Sequence, residues 1–202
     1  TVANTITVNT PPVAQFTAGT ACAGGTIAIN NTSSPVAGSI WAWNFGNGTT
    51  STLQNPSVTY STAGSYNVSL LVTASNGCTA IANVPVTINP LPVASFNAPA
   101  TVCQGSVTPL INTSGPGLGT ITSYAWNFGN GQTSVASNPT VTYTNPGNYT
   151  ITLTITNSFG CTATATRNIV VNPTPVASAG SPQAVCLGGS ATLFASGGTN
   201  YI

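Results

Sequence analysis

From Tyr149 to Asn157 the chain alternates without a break: Tyr149, Ile151, Leu153 and Ile155 are apolar, and each is followed by a threonine. A period of two places one set on each side of a pleated strand, so this segment predicts a half-buried β-strand. Tyr66, Val68, Leu70, Leu71 and Val72 repeat the pattern less strictly. Trp41-Ala42-Trp43 and Tyr124-Ala125-Trp126 place two aromatics on one strand face by parity, so all four are expected to face a core. Asn47-Gly48 and Asn130-Gly131 follow, and such dipeptides supply the positive-φ pair of a tight, exposed hairpin turn. Thr, Asn, Ser, Gly or Pro interrupts every apolar stretch, so nothing approaches the roughly 18 apolar residues of a membrane-spanning helix. Short strands with turn signals every 8–12 residues or so predict an all-β chain of Ig-like antiparallel β-sandwiches.

The pattern repeats about every 83 residues. Pro12-Val13-Ala14-Gln15-Phe16, Pro92-Val93-Ala94-Ser95-Phe96 and Pro175-Val176-Ala177-Ser178-Ala179 open alike, and Cys22, Cys103 and Cys186 follow them. Trp43-Asn44-Phe45-Gly46-Asn47-Gly48 returns as Trp126-Asn127-Phe128-Gly129-Asn130-Gly131. Val58-Thr59-Tyr60 returns as Val141-Thr142-Tyr143, and Asn76-Gly77-Cys78 as Phe159-Gly160-Cys161. The division this predicts is one domain at 11–89 and a second at 90–172, with residues 1–10 the last strand of a preceding repeat. Residues 173–202 read as the start of a further, truncated domain, which makes the chain a piece of a longer array. Pro90-Leu91-Pro92 and Pro173-Thr174-Pro175 are stiff joints of polyproline type.

Composition then removes whole classes of function. Among 202 residues there is no Asp, Glu, Lys, His or Met, and Arg167 is the one side chain charged at neutral pH. General acid–base catalysis and base-activated nucleophiles lack their groups, so no catalytic residue and no enzyme activity is expected. Metal sites lack their carboxylate and imidazole ligands, and no Cys-x-x-Cys pair is present; no cofactor is expected either. One arginine does not neutralise a phosphate backbone, which excludes nucleic acid as a partner. With 41% hydrophobic residues and near-zero net charge, the chain is not of the disordered type. Gly46-Asn47-Gly48 resembles a phosphate loop only superficially, since a strand rather than a helix follows. Trp41 and Tyr124 could serve a sugar-stacking platform, but their parity favours the core. Arg167 reads as a solvated residue or as the partner of a carboxylate on another chain.

Each complete unit carries two cysteines, 56 residues apart at Cys22 and Cys78 and 58 apart at Cys103 and Cys161. One pair per repeat predicts one disulfide inside each domain, Cys22–Cys78 and Cys103–Cys161, and an oxidising compartment. The alternative is five buried reduced thiols. Cys186 would be left without a partner here.

At the hexapeptide, Trp43 to Gly48 and Trp126 to Gly131, the sequence resembles the PKD (polycystic kidney disease) domain family. The later Tyr60, Ala63-Gly64 and Tyr66, and Tyr143, Pro146-Gly147 and Tyr149, extend the likeness. It implies tandem Ig-like sandwiches. The family hallmark has Asp where this chain has Asn44, Asn47, Asn127 and Asn130, which removes the anionic ligands a calcium role would need. With its paired cysteines the chain is most similar to PKD repeats of large Bacteroidota cell-surface adhesins, including gliding-motility adhesins exported by the type IX system. That implies a structural or adhesive stalk, secreted or on the cell surface. Its partners would be neighbouring repeats, surface polysaccharide or other surface proteins. Two alternatives are carbohydrate-binding accessory modules of a secreted hydrolase, and a homotypic surface filament favoured by the missing charge repulsion.

Overall fold

We describe a computed structural model of the chain, covering residues 8–178, 180–192, 194, 196 and 197. The described residues contain strands and no α-helix. In the first repeat these are β1 (Phe16–Ala18), β2 (Ala21–Cys22), β3 (Thr26–Asn31), β4 (Ile40–Asn44), β5 (Thr50–Ser51), β6 (Ser57–Thr59), β7 (Gly64–Thr73) and β8 (Thr79–Asn89). One sheet has the order β1-β3-β6 and the other β2-β8-β7-β4-β5. The second repeat follows the same plan with β9 (Phe96–Asn97), β10 (Thr101–Cys103), β11 (Val107–Pro109), β12 (Ile111–Asn112), β13 (Ile121–Asn127), β14 (Thr133–Ser134), β15 (Thr140–Thr142), β16 (Gly147–Asn157) and β17 (Thr162–Asn172). Its large sheet runs β10-β17-β16-β13-β14. Its smaller layer is split into β9-β12 and β11-β15, because Pro109 ends β11 and proline has no N–H for a ladder.

The sheets are not purely antiparallel, as the sequence suggested. β2 pairs with β8 in parallel, at Ala21↔Ile88 and Cys22↔Asn89. β10 pairs with β17 in the same way, at Thr101↔Val170 through Cys103↔Asn172. The reason is a change of sheet. The chain leaves β1 in the small layer and, two residues later, joins the edge of the large layer with its direction unchanged.

Alternation decides what is buried. Along β7, Val68, Leu70 and Val72 are wholly buried, whereas Leu71 is exposed. In the first repeat they meet Phe16, Ile27 and Ile29 of the facing sheet, with Trp43 and Phe45 between. Phe16 packs edge-on against Trp43 with centroids 5.0 Å apart, and Phe96 repeats this against Trp126 at 5.0 Å. The edge-to-face geometry sets positive ring edges on a negative face. Trp43 and Trp126 are each only 2% exposed.

Two compact units are present. One contains the described residues up to Ser95 together with Ser114–Tyr124 and Thr154–Thr164, and the remaining described residues form the other. The reading of residues 1–10 as a strand falls mainly outside the described residues. Beyond Asn172 the described residues hold no named strand, and a single bridge joins Ser178 and Ser196.

Leu70 and Leu71 are sequence neighbours on opposite faces of one strand, and they give a direct test of this register. Leu70→Ala is expected to cost about 2–5 kcal/mol, as for a core leucine. Leu71→Ala should stay within roughly 0.5 kcal/mol, as for a surface site. Urea denaturation midpoints of the two variants check it.

Candidate functional site

The hexapeptide forms the bend between β4 and β5. Trp43 faces the core and donates from Nε1 to the Leu53 carbonyl at 2.9 Å, and Trp126 does the same to Ala136 at 2.9 Å. Phe45 and Phe128 complete the buried set. The expected positive-φ Asn-Gly pair is not what makes the turn. No residue other than glycine has positive φ among those described, and the reversal falls on Gly46 (φ +74°) and Gly48 (φ +87°) instead. The cause is Asn47, whose side-chain Oδ1 accepts the Thr49 N–H at 3.0 Å and the Thr49 hydroxyl at 2.6 Å. That Asx turn holds its own backbone in the ordinary region. Asn44 accepts the Gly46 N–H at 2.9 Å, and Asn127 and Asn130 repeat both contacts with Gly129 and Gln132. Gly48 is exposed and Asn47 half-buried. Gly46 is required for a second reason: a Cβ there would lie 2.8 Å from the Asn67 carbonyl oxygen.

A tyrosine locks this bend to the body of each domain. The Tyr60 hydroxyl donates to the Phe45 carbonyl at 2.9 Å, and the Tyr143 hydroxyl to the Phe128 carbonyl at 3.1 Å. Burial, and then the adjacent Tyr149, push the Tyr143 phenol up to about 12. Tyr60 is raised likewise, by burial and then by Tyr66.

Trp41 is half-buried against the core, and Tyr124 is half-buried at the matching position of the second repeat. Trp41 borders a shallow cleft of about 450 Å³ with Ile40, Ala42, Thr52, Leu71 and Thr73. Ile40 and Ile81, both about two-thirds exposed, extend this apolar outer face. The matching positions of the second repeat are Ser123, Thr154 and Thr164, where the two threonine hydroxyls bond each other at 3.1 Å. This apolar patch was missed by pattern reading. The irregular step Leu70-Leu71, compared with Leu153-Thr154, is the signal that marks it.

The cysteines depart most from expectation. Cys22 is bonded to Cys161, with Cα atoms 5.7 Å apart, whereas Cys78 and Cys103 carry free thiols, as does Cys186. The predicted pairs Cys22–Cys78 and Cys103–Cys161 are therefore corrected, and the reason lies within each repeat. Cys22 is opposite Asn89 at the end of β8, while Cys78 immediately precedes Thr79 at its start. Ten strand steps separate those ends, about 33 Å at the usual rise, and a disulfide needs Cα atoms within roughly 7 Å. Cys103 and Cys161 stand in the same way at opposite ends of β17. Cys161 and Cys22 lie in one compact unit. Trp43 sits mid-sheet, opposite Leu70, which is itself opposite Ala82, with no disulfide pinned beside it.

Arg167 is not free. Its Nε donates to the Phe96 carbonyl at 2.7 Å, and its guanidinium lies 5.9 Å from the Phe96 ring centroid. Among the described residues no three of His, Cys, Asp and Glu come together as a metal site would need. No helix among them is long and apolar enough to cross a membrane.

Two tyrosine-locked, tryptophan-centred sandwiches define a tandem Ig-like β-sandwich protein. The PKD domain profile matches residues 9–88 and 89–171, and the chain belongs to the PKD domain family. It is 43% identical over 96 residues to the pre-pro-metalloprotease PrtV of Vibrio cholerae, a match covering 46% of this chain and 10% of that protein. It is 44% identical over 54 residues to a microbial collagenase of Vibrio alginolyticus, covering 27% of this chain and 7% of that protein. The chain thus spans a tenth or less of these relatives. Among solved structures, the PKD1 domain of V. cholerae PrtV shares 41% identity and a TM-score of 0.37, with 41% of this chain and 98% of that one covered. These relatives are a protease and a collagenase, and no Bacteroidota adhesin stands among them.

The tyrosines fix a pH dependence. Unfolded, a tyrosine loses its proton near pH 10, whereas folded Tyr143 keeps it to about 12. Stability from this group is therefore fully present below pH 10 and lost as pH rises through about 12. With no Asp, Glu, His or Lys, the melting midpoint is expected to be flat from about pH 4 to 8. It should also be insensitive to moderate salt, and fall above pH 10 alongside phenolate absorbance at 295 nm. Thermal melts across that range check it, and a shift of more than a few degrees between pH 4 and 7.5 would contradict it.

Proposed function

We propose that this chain is a non-catalytic accessory segment of a larger extracellular hydrolase, holding a catalytic part built from other residues of the same protein. The observation that carries this reading is the 43% identity to a stretch of a metalloprotease, in a chain that has no Asp, Glu, His or Lys of its own. The Cys22–Cys161 bond favours an oxidising, extracellular setting. Trp41 and Tyr124, both half-buried, argue against sugar stacking as the accessory task, so the segment acts as a spacer rather than as a carbohydrate-binding module.

A second reading, a load-bearing stalk of an adhesive surface protein, is favoured by the same bond, because it ties one repeat covalently to the next. Mass spectrometry and sequencing of the native gene product separate the two. The accessory reading expects a hydrolase domain on the same polypeptide, and its removal should abolish hydrolysis while leaving these repeats folded. A product made of many such repeats with no hydrolase domain would overturn it in favour of the stalk.

A further inference from the structure

Cys78 and Cys103 carry free thiols, yet each sits in the local structure of a cysteine that is bonded. After Cys22, Gly25 N–H donates to the Cys22 carbonyl at 2.8 Å, Ala23 N–H to Asn89 at 2.9 Å and Gly24 N–H to Tyr60 at 2.7 Å. After Cys103, Ser106 N–H donates to the Cys103 carbonyl at 3.1 Å, Gln104 N–H to Asn172 at 2.8 Å and Gly105 N–H to Tyr143 at 2.9 Å. Cys186 opens a third such turn, with Gly189 N–H donating to its carbonyl at 2.9 Å.

The other end of the sandwich repeats as closely. Asn157 N–H donates to the Cys161 carbonyl, and Ala74 N–H to the Cys78 carbonyl, each at 2.9 Å. Asn157 Nδ2 holds the entering chain at the Pro90 carbonyl (3.3 Å), and Asn76 Nδ2 holds it at the Thr10 carbonyl (3.2 Å). Exposure is where the bonded and free cysteines part. Bonded Cys161 is buried and its counterpart Cys78 half-buried; bonded Cys22 is half-buried and its counterpart Cys103 exposed. In each case the free member is the more open to solvent.

We propose that Cys22–Cys161 is one rung of a ladder, in which the cysteine after the second strand of each repeat bonds the hairpin cysteine of the repeat that follows. Cys103 takes the hairpin cysteine of a following repeat of the same chain, and Cys78 takes the second-strand cysteine of a preceding one. Each rung forms by thiol–disulfide exchange with a small-molecule disulfide such as oxidised glutathione. The two protein thiols lose two protons and two electrons to form one S–S bond, and the small-molecule disulfide leaves as two thiols. The rungs overlap. A covalent path crosses from Cys22 to Cys161, follows the chain for 25 residues to Cys186 and crosses again, so tension bypasses most of both sandwiches. The ladder holds for a hydrolase spacer and for a stalk alike.

The test is the full chain with residues 10–172 duplicated in tandem, so that Asn172 joins Thr10 with the spacing of Asn9–Thr10. It is refolded in a glutathione redox buffer, alkylated and cut with chymotrypsin together with trypsin, whose site at Arg167 separates Cys161 from Cys186. The expected new species is Cys103 of the first copy bonded to Cys78 of the second, with Cys22–Cys161 in both copies. Titratable thiols then stay at three, as in the single chain. Five thiols, a disulfide inside any one repeat, or disulfide-linked dimers on a non-reducing gel would overturn the proposal. As a folding control, Cys103→Ser in the first copy should free Cys78 of the second copy alone and leave both Cys22–Cys161 bonds in place. Loss of those bonds too would count against the ladder.

Discussion

The last strand of each sandwich runs the whole length of its domain, and the rest of the arrangement depends on that. β8 and β17 are 11 residues each, and both accept a short parallel strand at their C-terminal end while springing from a hairpin turn at their N-terminal end. Whatever stands at those two ends is kept about 33 Å apart. The cysteines stand there. A domain built this way has no means of joining its own pair, so its covalent reinforcement comes from a neighbour. The core is left to aromatic packing, Phe16 on Trp43 and Phe96 on Trp126, and to the tyrosine that fastens the hexapeptide bend.

A bond between repeats reinforces each of them through the other. If the first repeat unfolds while the second stays folded, residues 22–89 become a loop closed at Cys161. Closing a loop of that size removes chain entropy worth about 4 kcal/mol. The same holds in reverse for residues 90–161. Small sandwiches of some 80 residues bury only a modest core, and here the deficit of one is offset only while its neighbour is folded. The bond thus couples the stabilities of domains that their sequences make alike.

The sequence carried the layers well and the connections poorly. Strict alternation at Ile151, Leu153 and Ile155 and the Trp-centred hexapeptides were enough for an all-β sandwich repeated twice, because burial on a strand follows parity. The parallel edge pairs were not legible, since Ala21-Cys22 and Thr101–Cys103 are too short to show direction. The Asn-Gly turn was misread because the side chain of Asn47 satisfies its own loop and hands the positive φ to the two glycines around it. The cysteine pairing was misread for a deeper reason. Spacing along the chain says how many cysteines each repeat has, not which end of the sandwich they occupy. Only the strand register, Cys22 beside Asn89 with Cys78 at the far turn, separates an internal bond from a bond to the next repeat. An uncharged surface added nothing to correct this, as it offered no ion pairs or clustered ligands from which proximity could be read.

Whether the covalent link joins repeats or closes each one is decided by the connectivity of the 202-residue chain itself. Alkylation of the air-oxidised chain under denaturing conditions, followed by digestion with chymotrypsin and with trypsin, whose cut at Arg167 separates Cys161 from Cys186, and peptide mapping with and without reductant, measures it directly. One disulfide-linked peptide pair carrying Cys22 and Cys161 is expected, with Cys78, Cys103 and Cys186 alkylated. A Cys22–Cys78 or Cys103–Cys161 peptide pair would contradict it.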